Sequence, residues 1–515
     1  MRRVLRWQAA VPDIVLATLN AKYIHASLGL RYLYANLGGL REHATIAEFT
    51  CDQRPADIAE TLLGLQPRIV GLGVYIWNAE ETLKLVATLK QVAPQLLIVL
   101  GGPEVSYEQH EQPLVALADF VIAGQGDLAF SALCERLLDG ERPADRLITA
   151  APPPLAALEM PYRYYSDADI AHRLIYVEAS RGCPFKCEFC LSALDRTAWP
   201  FNLGCFLAEM DRLYARGARH FKFVDRTFNL NVTTGRRILQ FFLERLSDDL
   251  FLHFELVPDR LPDGLKQLLA QFPPGSLQLE VGVQTFNTEV QTLISRRQDN
   301  ARTEANLRWL REQSHAHLHA DLIAGLPGED LASFASGFNR LCALGPHEIQ
   351  VGILKRLRGA PVRRHTQDYG LRFAPQAPYT VLATDCIDFQ TMQRITRFAR
   401  YWDLVANSGR FVTTLPLLLG DDAFARFMAF SDWLYAQTQQ THRIALPRQF
   451  QLLYQVLTEV FATPADVVLG ALARDCAVYG LKGCPAFLHE YLRALQAHPS
   501  APLQAPARQA RHLRA

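Results

Sequence analysis

Residues 174–190 read LIYVEASRGCPFKCEFC, an apolar run of strand character that passes directly into a loop holding three cysteines. Cys183, Cys187 and Cys190 are spaced C-x3-C-x2-C. Three thiolates from one short loop suit three irons of a cubane 4Fe-4S cluster and leave the fourth iron an open coordination position. Zinc is the alternative, but a structural zinc site takes four protein ligands. The nearest further cysteine, Cys205, lies fifteen residues on at a predicted helix start, and no histidine follows at finger spacing. Gly182 and Pro184 suit a tight, preset loop around the cysteines.

Downstream the strand pattern recurs as HFKFVD (220–225), FLHFELV (251–257), SLQLEVGVQ (276–284), HLHADLIAGL (317–326) and HEIQVGIL (347–354). Helical segments such as CFLAEMDRLYARG (205–217) and TTGRRILQFFLERL (233–246) lie between these runs. Six βα units without a change of direction predict a partial (βα)6 TIM-like barrel over 171–365, with the cysteine loop at the carboxyl edge of its first strand.

Upstream, DIVLATL, RIVGLGVY, QLLIVLGG and ADFVIAG alternate with helical patterns, which predicts an α/β, Rossmann-like (flavodoxin-like) domain over 1–145. Ligands of such sheets bind outside the carboxyl ends of the strands. Asn78 with Glu81 three residues on reads as a capping-box-like helix start. The Pro-rich stretch TAAPPPLAALEMPYRYY (149–165) marks a linker, 146–170. From 366 to 497 the spacing is helical, and the aromatic run RFARYWDL reads as a helix core rather than a lid. Residues 498–515, with Arg508, Arg511 and Arg514, read as a disordered tail.

Composition excludes more than it assigns. Among 515 residues, 53 Lys and Arg face 52 Asp and Glu, so no overall field points to nucleic acid or an anionic membrane. The start lacks the apolar stretch of a signal peptide and no run approaches a membrane span, so the expected compartment is cytoplasmic. Ten cysteines are too dilute for a disulfide scaffold. Cys51, Cys134, Cys342, Cys386, Cys476 and Cys484 are expected as core or surface thiols.

The cysteine loop on a six-unit βα core resembles that of the radical S-adenosylmethionine superfamily. The resemblance implies that the open iron chelates the amino and carboxylate groups of S-adenosylmethionine, and that an electron from the cluster yields a 5′-deoxyadenosyl radical. It implies further that Phe189 packs near the adenine. Asp225 of FKFVDRTFN, Glu280 and Gln284 of LEVGVQTFN, and Gly325 of DLIAGLPGED fall at cofactor positions. For Glu280 and Gln284 an internal hydrogen-bond network is the other reading. No residue is singled out as the catalytic acid or base.

The segments GVYIWNAEETL, VLGGPEVS and ADFVIAGQGDLAF resemble the cobalamin-binding domain that precedes this core in a large subgroup of the superfamily. Gly101, Gly102, Gly124 and Gly126 then lie where bare backbone approaches the corrin, although turns in any flavodoxin-like loop use glycine too. The Asp-x-His-x-x-Gly motif that ligates cobalt is missing. His25 in NAKYIHASLG is the alternative ligand, and the favoured state has no histidine on cobalt, with Tyr75, Ile76 and Trp77 walling the corrin's lower face.

Joined, these resemblances imply a cobalamin-dependent radical enzyme, with methyl transfer to an unactivated carbon as the leading chemistry. The rivals are a cobalamin-independent radical enzyme, acting on RNA or a cofactor among other substrates, and an iron-sulfur electron carrier or redox sensor. Expected partners are a small-molecule or macromolecular substrate and a flavodoxin or ferredoxin as electron donor. Neither a membrane nor nucleic acid is expected, and the carboxyl-terminal domain resembles an uncharacterised extension.

Overall fold

The structure is a computed structural model that describes residues 11–195, 197–477 and 484–497, the last four without side chains. The expected tail and its arginines therefore lie outside the described residues. The chain forms two compact units, one of residues 1–255 with 355–364 and 374–380, the other of 256–354 with 365–373 and 381–515. Among the described residues no helix is long and apolar enough to cross a membrane.

The first unit opens with six parallel strands: β1 (Ile14–Asn20), β2 (Ala44–Thr50), β3 (Ile69–Gly73), β4 (Leu97–Gly101), β5 (Phe120–Gly124) and β6 (Leu147–Ala150). Their order is β2-β1-β3-β4-β5-β6, so the direction of winding switches beside β1. Alternation along β1 feeds two cores: Val15, Ala17 and Leu19 pack on one face, Ile14 and Leu16 on the other.

Strands β2 and β6 are additions to the sequence reading. In β2 the alternation is broken by Glu48, whose carboxylate is not solvated but holds Arg31 at 2.8 Å and Arg173 at 2.7 Å. β6 is a short, half-exposed edge that opens the segment expected as a linker, and the helix Asp167–His172 falls within that segment as well.

Helix Ala79–Val92 starts after Asn78 as expected, but there is no capping box. The fully buried Asn78 side chain accepts from Tyr75 N at 2.8 Å and donates to Leu19 O at 3.0 Å and Gly73 O at 3.1 Å. It ties the ends of β1 and β3 together instead of capping, while Glu81 pairs with Lys84 at 2.6 Å.

Still in this unit come β7 (Ile175–Val177), β8 (Ser180–Arg181), β9 (Trp199–Pro200), β10 (His220–Phe223) and all but the last residue of β11 (Phe251–Leu256). β7, β10 and β11 are parallel neighbours, and β8 pairs antiparallel with β9 across the neck of the cysteine loop.

The second unit holds β12 (Leu277–Gln284), β13 (His317–Ala324) and β14 (Glu348–Ile353), again parallel. All six strands expected of the βα core are thus present. A small antiparallel pair, β15 (Arg372–Phe373) with β16 (Val381–Ala383), interrupts the stretch expected to be helical. Helices follow from Phe389 onward. The aromatic run is core: Phe398 and Trp402 are buried, and both rings pack against Phe338 and Phe427. Cys476 and Cys484, expected as separate thiols, form a disulfide, with their Cα atoms 5.8 Å apart.

The two readings of Asn78 separate on stability. Asn78→Ala orphans several buried partners and is expected to cost about 3 kcal/mol, whereas Glu81→Ala, which loses one surface pair, should cost under about 0.5 kcal/mol. Denaturant unfolding of the full chain measures both.

Candidate active site

In the first unit the carboxyl ends of β1, β3, β4 and β5 open onto a cavity of about 870 Å³, within the size range of small-molecule and cofactor sites. Asn20, Gly73, Gly101, Gly102, Gly124 and Gly126 line it from the strand ends and the turns after them. Tyr75 and Trp77 line it too, their rings stacked at 4.4 Å, while Ile76 between them is not part of the lining. These residues form a turn, closed by Asn78 N donating to Tyr75 O at 3.0 Å.

The glycines singled out in the sequence differ in their reasons, and a side chain at Gly126 would press on Ile122 Cγ2 at 3.2 Å. Gly102 has φ +106° and a side chain there would meet Val74 O at 2.5 Å; Gly124 has φ +90° and would meet Ala150 O at 2.7 Å. These two are required by the protein's own backbone. At Gly101 the nearest atom would lie 3.8 Å away, so its bareness leaves space.

The same cavity is lined by Arg181 and Gly182, just ahead of the first cysteine, and by Leu191, Ser192 and Asp195, just after the last. Gly182 has φ +91°, and any side chain there would run into Thr197 O. Cys183 N donates to Asp195 O at 3.2 Å, and Cys190 N to Cys187 O at 3.0 Å, closing the loop on itself. The three thiols are half-buried and outside any disulfide. Burial pushes the Cys183 thiol up, and the charges of Cys190 and Cys187 push the same way. Among the described residues no three Cys, His, Asp or Glu side chains converge on a point as around one metal ion. Three soft donors strung along one loop, without a fourth, fit a cubane, which spreads its ligands over three irons, better than zinc.

Arg181 was not legible as a site residue. Its guanidinium forks onto Asp127 with contacts of 2.9 and 3.1 Å, its Nε donates to Glu178 Oε1 at 2.8 Å, and it lies 4.4 Å over the Tyr32 ring. Burial raises the pKa of Glu178 against the pull of Arg181. The residue two before Cys183 is thus bound to the turn after β5.

His25 reaches the cavity and shares a 2.8 Å hydrogen bond, through Nδ1, with the Tyr176 hydroxyl. Burial first, then Lys222, lowers its pKa, so the ring is neutral near pH 7. Asp225 does not line the cavity. Its carboxylate accepts from Ala179 N at 2.9 Å and Ser180 Oγ at 2.5 Å, bracing the strand end that leads into the cysteine loop. Phe189 is half-buried in the loop and outside the lining.

Glu280, Gln284 and Gly325 belong to the second unit. Glu280 is in register with His319 on β13, within a polar strand face that sequence reading passed over. There His317 bonds Glu348 at 2.9 Å, and His319 contacts Glu348 at 3.1 Å and Asp321 at 3.2 Å. The two carboxylates overcome burial and lift the His319 pKa to about 10. The signal was present in HLHAD, polar at every second position. Gln284 sits at a bulge with φ 70°. Gly325 has φ +84°, and a side chain there would meet Val381 Cγ1 at 2.5 Å and Met392 Cε at 3.0 Å, a packing reason for glycine.

Three stretches of the chain match known protein families. Residues 14–134 match the B12 binding domain, residues 177–338 the radical SAM superfamily, and residues 367–500 a protein family of unknown function, DUF4080. The chain thus carries, in sequence order, a B12 binding domain, a radical SAM domain and a DUF4080 domain. The cofactors of such domains are a 4Fe-4S cluster with S-adenosylmethionine, and cobalamin.

Among curated relatives, 2-(S-pantetheinyl)-carbapenam-3-carboxylate methyltransferase of Streptantibioticus cattleyicolor is 24% identical over 461 residues, covering 79% of this chain and 63% of its own. The cobalamin-dependent radical SAM methyltransferase TokK of Streptomyces tokunonensis is 23% identical over 463 residues, with coverage of 79% and 63%. The chain thus spans less than two thirds of the length of these relatives. Among solved structures, the methyltransferase TsrM of Kitasatospora setae with cobalamin and a [4Fe-4S] cluster superposes with a TM-score of 0.56 at 17% identity, covering 71% of this chain and 76% of that one. The cobalamin-dependent S-adenosylmethionine radical enzyme OxsB, with aqua-cobalamin bound, gives 0.58 at 12% identity, with 98% and 84% covered.

Burial raises the Asp225 carboxyl to about 7 against its two hydrogen bonds. A folded pKa above the unfolded value means that the native state holds the proton longer, so stability is full below about pH 4 and falls as pH rises toward 7. Asp225→Asn removes that titration. The difference in Tm between variant and wild type is expected to shift in the variant's favour from pH 4 to pH 7, and thermal scans over that range check it.

Proposed function

We propose that the chain is a cobalamin-dependent radical S-adenosylmethionine enzyme whose leading chemistry is methyl transfer to an unactivated carbon. One observation carries this reading: a single cavity in the first unit is lined both by the glycine-ended strands of the B12 binding domain and by the two shoulders of the cysteine loop. That the carbapenam relative and TokK are methyltransferases supports the methyl transfer.

In this reading Cys183, Cys187 and Cys190 hold the cluster. When bound, the cluster and S-adenosylmethionine supply a 5′-deoxyadenosyl radical that removes a hydrogen atom, and cobalamin carries the methyl group. The chain's own contribution is placement. Tyr75 and Trp77 wall the cavity and exclude water, and Gly101 leaves room at the end of β4. His25 engages Tyr176 through Nδ1 alone, so the reading of a cobalt without a histidine ligand rests on the missing Asp-x-His-x-x-Gly motif. Phe189, Glu280 and Gln284 remain candidates for S-adenosylmethionine contact. The internal bonds of Asp225 and the packing of Gly325 favour supporting parts for those two. The substrate, small or macromolecular, a flavodoxin or ferredoxin donor and a cytoplasmic setting belong to the same proposal.

Anaerobically reconstituted protein is expected to hold about four irons per chain, and Cys183→Ala, Cys187→Ala or Cys190→Ala to abolish the cluster, while Cys205→Ala leaves it intact. With strong reductant and S-adenosylmethionine, wild type should release 5′-deoxyadenosine. An intact, reducible cluster that releases none would favour an electron carrier. His25→Ala should leave the nitrogen superhyperfine pattern of cob(II)alamin unchanged; its loss on that substitution would assign His25 to cobalt.

A further inference from the structure

The segment Lys355–Arg364, KRLRGAPVRR, follows β14 and belongs to the first unit. Half of its residues are basic, and they meet carboxylates in two places. At one end, Arg358 contacts Glu104 at 2.9 Å and Glu108 at 3.3 Å, and Arg356 contacts Glu108 at 3.1 Å. Both glutamate side chains are nine-tenths buried or more, in the loop that leaves the cavity just after Gly101 and Gly102. Gly359, with φ +82°, lies so close to the Tyr107 ring of that loop that no side chain fits between them.

At the other end the segment grips the cysteine loop. Val362 N donates to Glu188 O at 2.8 Å, and the Arg364 guanidinium pairs with the Glu188 carboxylate. Glu188 stands between Cys187 and Phe189, and its side chain is only 3% exposed. A buried carboxylate inside a cluster-binding loop is a fixed negative charge beside a group that must accept an electron.

We propose that residues 355–364 form a strap that couples the cobalamin-side loop to the cysteine loop, and that through it Glu188, held by Arg364, sets the cluster's reduction potential. Glu188 and the strap arginines are positioning residues, acting through the loops they hold. The inference rests on the assignment of the three cysteines to the cluster. Net charge and hydrogen bonding around the sulfurs are what tune such potentials. One unit charge at about 10 Å and an effective dielectric of about 20 changes the reduction equilibrium roughly tenfold.

The test uses full-length reconstituted protein and a redox titration followed by the cluster's electron paramagnetic resonance. Glu188→Gln, which keeps size and hydrogen bonding, should favour reduction about tenfold, or 59 mV for one electron. Arg364→Gln should shift the potential the other way and by less, because the Arg364 side chain is 63% exposed and screened by solvent. As a surface change it also keeps the test open should Glu188→Gln fold poorly. Arg358→Gln, made at the far end of the strap, should speed hydrogen exchange in 183–195 as well as in 104–111. A cluster at wild-type iron content whose potential ignores both Glu188→Gln and Arg364→Gln overturns the charge role. Exchange that rises only in 104–111 overturns the coupling. If wild-type protein binds no cluster, the cysteine assignment itself has failed and the inference falls with it.

Discussion

The site depends on one buried cation. Arg181 is fixed by a two-pronged contact with Asp127 and a third bond to Glu178, at distances of 2.8 to 3.1 Å. Removing one partner of such a set leaves an uncompensated charge in a dry interior, at a cost of about 3–5 kcal/mol. A guanidinium, with a planar fork and a permanent charge, suits this bidentate geometry better than an ammonium. The consequence is geometric: the backbone entering the cysteine loop has little freedom relative to the turn after β5, and both arrive at the same cavity.

Two kinds of polar residue therefore surround the candidate site. Some face the open space, as His25 and Asn20 do. Others, such as Asn78 and Asp225, are spent on the backbone of the strand ends and fix where those ends stop. A carboxylate or amide near a cofactor site is ambiguous until its hydrogen bonds are known, because both tasks favour the same residue types at the same strand termini.

Legibility in the sequence followed from locality. The six core strands were readable because each is a compact apolar run, and the cysteine loop because its three donors lie within eight residues. β2 escaped because Glu48 breaks its apolar pattern, and only its partners Arg31 and Arg173, distant in sequence, explain why a carboxylate is tolerated there. Arg181 looked like an ordinary loop arginine for the same reason, since Asp127 is 54 residues away. KRLRGAPVRR drew no attention in the sequence, because the carboxylates that bind it lie in two distant loops. Gly325 drew attention as a cofactor glycine, while the packing of Val381 and Met392 against it was invisible in the sequence. Local pattern reports backbone; the pairing of buried charges is a long-range property that a single sequence does not display.

The strap has a consequence for biosynthesis. The first unit spans residues 1–255 but also takes 355–364 and 374–380, so it cannot close until more than a hundred further residues have been made. At ribosomal speeds of about 5–20 residues per second, the nascent cysteine loop waits on the order of 10 s without its clamp. During that interval the loop lacks the bond from Val362 N and the pairing of Arg364 with Glu188. Synthesis order, in addition to affinity, then governs when the loop is sealed.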